Sequence, residues 1–85
     1  MLLSNSNKIS DILKKHNCTN IKPYNLVNNS GCTFELNGIE FDARHWKNVY
    51  GTNVDYWDIS ITKDITEESK AVLQQIKQEL NDNCR

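Results

Sequence analysis

The most constraining feature of the chain is a dipeptide, Asn37-Gly38, set between two alternating runs, Thr33-Phe34-Glu35-Leu36 and Ile39-Glu40-Phe41-Asp42. A two-residue turn between strands requires positive φ at both central positions, which Asn and Gly tolerate best. The pattern therefore predicts a tight hairpin, and a tight hairpin has only one register. Leu36 must face Ile39 and Phe34 must face Phe41 on one side, the side that seeks a core. Glu35 then faces Glu40 on the other side, in a closely spaced pair. Two carboxylates so placed repel each other by up to about 1 kcal/mol unless a cation intervenes. Such a pair is either screened by a lysine from a neighbouring strand or held ready for a partner or a metal ion.

The rest of the chain supplies material to cover that hairpin. Ile9, Ile12 and Leu13 fall at helical spacing after a cap at Ser6 or Asn7, with Lys14, Lys15 and His16 in the last turn and Asn17 past the end. Residues 21–27 have strand composition, and Pro23, with no N–H to donate, is confined to a sheet edge or a strand start. Asn28 to Gly31 read as a turn. Val54 to Thr62 alternates, with Trp57, Ile59 and Ile61 on one face and Tyr56, Asp58, Ser60 and Thr62 on the other. Either Asp64 or Thr66 starts a last helix whose stripe is Val72, Leu73, Ile76, Leu80 and Cys84. Between hairpin and strand, residues 43–51 allow two readings: Asp42 caps a short helix ended by Gly51, or the hairpin strand simply continues; a helical turn or ordered loop is the favoured expectation. The expected fold is a single α+β domain over residues 1–85: an N-terminal helix, an antiparallel sheet of three to four strands, and a C-terminal amphipathic helix packed on one face.

Eighty-five residues leave no room for a second core. No apolar run reaches spanning length, and Met1-Leu2-Leu3 gives way at once to Ser4 and Asn5, so the expected setting is cytoplasmic, with no membrane partner. Cys18, Cys32 and Cys84 are an odd, scattered set that fits reduced thiols better than a disulfide scaffold. Twelve Asn, eight Ile and eight Lys against two Arg and two Ala point to an AT-rich genome, so the asparagines reflect codon bias. The formal net charge is −1, far from a nucleic-acid footprint, yet it is unevenly spread. Residues 1–31 carry a net +3 and residues 55–68 a net −4. A dipolar chain of this kind steers a charged partner toward one end.

Among chemistry-bearing residues the densest cluster is Arg44, His45, Trp46, Lys47 and Tyr50, followed by Tyr56 and Trp57. Arg, Trp and Tyr dominate binding hot spots because each joins a large contact area to a polar handle. His16, Cys18, Cys32, His45 and Cys84 are the available zinc ligands, but the paired spacing of a zinc knuckle is missing, so no metal site and no cofactor is expected. Phosphate-binding glycine loops, nucleophile elbows and H-E-x-x-H are absent, and no catalytic residue is assigned. The expected function is that of a small non-enzymatic protein-binding module. Its size suits an inhibitor, an immunity protein or a phage or mobile-element anti-defence factor that occludes a larger partner, present as monomer or homodimer. The expected contact residues are Glu35, Glu40, Asp55, Tyr56 and Asp58 on an acidic sheet face, engaging a basic surface, with Arg44, Trp46, Lys47 and Tyr50 at the rim. Two alternatives stand beside this reading. One is a nucleic-acid regulator using Lys8, Lys14, Lys15, Lys22, Arg44 and Lys47. The other is a small metal- or thiol-dependent enzyme.

Overall fold

Asn37 and Gly38 take φ of 55° and 81°, the positive pair that the two-residue turn demands. In the computed structural model, which describes residues 2–26, 29–46, 55–61 and 64–84, this turn joins strands β2 (Asn29–Leu36) and β3 (Ile39–Trp46). Their register pairs Leu36 with Ile39, Glu35 with Glu40 and Phe34 with Phe41, as the sequence pattern requires. Phe34 and Phe41 meet with ring centroids 5.9 Å apart, and both are buried.

Strand β1 (Thr19–Asn25) flanks β2, and β4 (Tyr56–Ser60) flanks β3, giving a four-stranded antiparallel sheet in the order β1-β2-β3-β4. Pro23 lies on an edge, opposite Cys32. Because the bonded pairs alternate from the turn outward, the Tyr24–Gly31 pair exchanges hydrogen bonds and Pro23 turns its nitrogen away from the sheet. Its missing N–H therefore costs the ladder nothing.

Two segments differ from the sequence reading. Asn29, Ser30 and Gly31 belong to β2 instead of a turn, and Ala43 to Trp46 extend β3 instead of forming a helical turn. In β3 the inward positions Phe41, Ala43 and His45 are all buried while Asp42, Arg44 and Trp46 remain partly exposed. A period of two thus persists through the strand, with a histidine acting as an inward apolar residue. Residues 47–54 lie outside the described set. Ile61, expected on the core face, lies just past β4 and is 39% exposed.

Helix α1 (Leu2–Lys15) begins well before Ser6 and Asn7, so neither caps it. Its end is as expected: Asn17 has φ 65°, Asn17 N–H donates to the Lys14 carbonyl at 3.0 Å, and Cys18 N–H donates to the Leu13 carbonyl at 3.0 Å. That pair of bonds is a Schellman motif with asparagine in glycine's place. Helix α2 (Glu67–Asn83) is capped by Thr66, whose Oγ1 accepts from Ser69 N–H at 3.1 Å, with Glu67 and Glu68 in the positive first turn.

One core unites these elements. Ile9, Ile12 and Leu13 of α1 and Leu73, Ile76 and Leu80 of α2 pack with Phe34, Phe41, Trp57 and Ile59 of the sheet. Both helices thus share one face of the sheet, and no described element crosses the other.

Candidate interaction surface

The uncovered face is built by the outward positions of the four strands, and the register decides which residues stand side by side. Gly31 of β2 lies between Tyr24 of β1 and Arg44 of β3. A Cβ at Gly31 would come within 2.6 Å of the Tyr24 hydroxyl oxygen, so the tyrosine ring occupies the space that any larger residue would fill. From there the Tyr24 hydroxyl donates to Asp42 Oδ1 at 2.8 Å. Arg44 Nη2 donates to the other oxygen, Asp42 Oδ2, at 3.1 Å. The Arg44 guanidinium carbon also sits 5.5 Å from the centre of the Trp46 ring. Trp46 in turn stands opposite Tyr56, which is 46% exposed.

The outcome is a fixed array, Tyr24, Asp42, Arg44 and Trp46, held over a glycine floor. Its electrostatics agree with its geometry. Burial pushes the Tyr24 hydroxyl above its ordinary value, with Arg44 opposing and Asp42 adding to the shift. The Tyr24 oxygen, and then the Asp42 carboxylate, raise the Arg44 guanidinium further. Arg44 Nε is buried and has no hydrogen-bond partner among the described residues, so it is out of reach of another molecule. The side chain as a whole is partly exposed, and the donor capacity its fork offers a partner lies on the terminal nitrogens.

Toward the hairpin turn the face becomes acidic. Glu35 and Glu40 are directly opposed, and neither has an ion-pair partner among the described residues. No described lysine screens them; the Asn20 side-chain amide donates to Glu35 Oε2 at 2.8 Å instead. Asn20 reaches it from the irregular stretch of β1 between Thr19 and Lys22, where it adopts φ 52°. An amide satisfies one carboxylate but leaves the net charge of the pair intact.

The other expected contact residues are dispersed. Asp58 lies on β4, where Lys77 of α2 reaches around to within 3.4 Å of it. Asp55 is not on this face at all. Its Oδ2 is 3.9 Å from Nε2 of His45, which is buried on the core side and stacked on Trp57 at 5.0 Å. Lys47 and Tyr50 lie outside the described residues. The face thus brings together Glu35, Glu40, Arg44, Trp46 and Tyr56, leaves Asp58 at the margin and moves Asp55 to the interior side. Sequence reasoning missed Tyr24, Asp42 and Asn20. A glycine followed by a long alternating run was the available signal for Gly31 as a strand residue overlaid by a neighbour.

The residues of the alternative chemistries are placed as follows. No group of three or more potential metal ligands occurs among the described residues. Cys18, Cys32 and Cys84 are free and buried, and burial pushes Cys18 and Cys32 each up to about 11. His16 binds Glu79 Oε2 at 2.5 Å, beside an ion pair between Lys15 and the same carboxylate. The cations proposed for nucleic acid are split between surfaces: Lys8, Lys14 and Lys15 are on α1, which packs on the covered face, while Lys22 and Arg44 belong to the sheet. No helix among the described residues is long and apolar enough to cross a membrane.

Comparison of the chain with protein-family models, with curated proteins and with solved structures finds no match.

Proposed function

We propose that this chain is a non-enzymatic protein-binding module that covers part of a larger partner with the open face of its sheet. One observation carries the reading: hydrogen bonds tie Tyr24 and Arg44 to Asp42, and Arg44 lies over the Trp46 ring, on a surface that no described element covers. Aromatic and arginine side chains immobilised before binding lose little entropy on contact, which is what makes such residues anchors. Tyr56 extends the array, and the unneutralised Glu35 and Glu40 give one end of the face a negative potential. The matching partner therefore presents a basic rim beside an apolar or aromatic centre, and the acids speed encounter more than they hold the complex. The three buried free thiols fit work in a reducing, cytoplasmic setting.

The test is affinity capture from the cell that makes the protein, with three baits compared by quantitative mass spectrometry. The baits are the native chain, a Trp46→Ala/Arg44→Ala double variant, and a control, Gln75→Ala, which changes an exposed position on α2 and alters no charge. A partner held by the native chain and by the control but depleted at least about tenfold with the double variant supports the reading, since anchor truncations cost about 2 kcal/mol or more. A partner retained equally by all three baits overturns the assignment to this face.

A further inference from the structure

An open four-stranded sheet has two edges, and each is a template on which another strand can pair. The β1 edge is blunted by Pro23 and by the irregularity between Thr19 and Lys22. The β4 edge is handled differently. Counting the bonded pairs outward from the Asn37-Gly38 turn, Arg44–Asp58 and Asp42–Ser60 exchange hydrogen bonds, so Trp57 and Ile59 direct their N–H and C=O groups away from the sheet.

At Trp57 both of those groups are occupied, and by one side chain. Trp57 N–H donates to Asn81 Oδ1 at 2.8 Å, and Asn81 Nδ2 donates to the Trp57 carbonyl at 3.1 Å. The second hydrogen on Nδ2 goes to the Lys77 carbonyl at 3.0 Å, one turn earlier in α2. A carboxamide has the same donor and acceptor pattern as a peptide group, and here it bonds Trp57 as a fifth strand would. The indole Nε1–H of the same tryptophan donates to the Cys84 carbonyl at 3.2 Å, so the end of α2 is tied to Trp57 by three hydrogen bonds. Ile59, two residues on, has no such partner among the described residues.

We infer that Asn81 is a built-in surrogate strand that closes the β4 edge against a second copy of this chain. Two β4 strands meeting antiparallel about Ile59 would bond Ile59 to Ile59 of the second copy. Trp57 would then need its outward groups for residue 61 of that copy, and Asn81 already holds them. The flanking Tyr56 and Ile61 are exposed and would supply apolar contact if the strands met. On the outer face Ser60 would lie beside Asp58 of the second copy.

Two measurements test this. In the native protein, amide exchange followed by NMR should show the Trp57 N–H protected at least about tenfold more than the Ile59 N–H, which points the same way and has no partner among the described residues. Equal exchange at the two sites would overturn the surrogate bond. Sedimentation over a dilution series should then show Asn81→Ala, with native circular dichroism, associating at least about tenfold more strongly than the native chain. Adding Ser60→Asp, which sets like charges against Asp58 of the second copy, should abolish that added association. A folded Asn81→Ala chain that associates no more than the native one overturns the guard. Association that persists unchanged with Ser60→Asp overturns the proposed pairing.

Discussion

Gly31 shows how much one residue can fix. With no Cβ it allows the Tyr24 ring to lie across β2, and the ring's hydroxyl then reaches the carboxylate that holds Arg44. An added methyl would also meet the Ala43 carbonyl oxygen at 2.4 Å, a backbone atom that cannot step aside. Gly31→Ala is therefore expected to lower stability by about 1–3 kcal/mol, read from urea unfolding. It should also detach Tyr24 from Asp42 and so weaken partner capture through a residue that need not touch the partner. A variant as stable as the native chain would show that the tyrosine has room to move. The alternating run after Gly31 was the one trace of this in the sequence, and it was masked because Gly31 sits among Asn28, Asn29 and Ser30 and has the composition of a turn. Local propensity favours a turn there; the pairing of β2 with two neighbours overrides it.

Among the elements, the β2–β3 hairpin was the most legible and the start of α1 the least. Turn chemistry and alternation both specify the hairpin register, and two independent signals that agree leave little freedom. The start of α1 depends on a cap signal alone, and serines and asparagines are too common in this chain for that signal to discriminate. The end of β3 is hidden because Arg44, His45 and Trp46 have the composition of a loop cluster until His45 is seen stacked on Trp57. The hairpin also carries a cost that folding alone does not explain. Glu40→Lys would replace a repulsive cross-strand pair with an attractive one, and is expected to raise stability by about 0.5–1 kcal/mol in urea. If the acids serve recognition, the same change should slow association with the partner, most clearly at low salt. A gain in stability with unchanged association would detach the acid pair from function.

At the scale of the whole molecule, α1 and α2 are joined at the surface by Glu79, which binds both Lys15 and His16. Lys15, and then His16, hold the Glu79 carboxyl below the ordinary carboxylate value. A folded-state value below the unfolded one stabilises the native state at pH above the unfolded value. That contribution is lost as pH falls through the folded value. Glu79→Gln should accordingly lower stability at neutral pH and approach the native chain's stability in acid, with the difference closing below about pH 4 in thermal unfolding. The effect is small because water screens the pair. A difference that stays constant with pH would mean that Glu79 acts through packing and not through charge.

The strand order also sets how the chain can assemble as it is made. Each strand pairs with the one made just before it, so the sheet grows without waiting for a distant segment. The exception is the last strand's outer edge, whose cover is Asn81, 24 positions beyond Trp57. Until α2 has been synthesised and docked, a growing chain carries the Trp57 groups of that edge without their Asn81 cover, and crowding of neighbouring copies on one message is most hazardous in that interval.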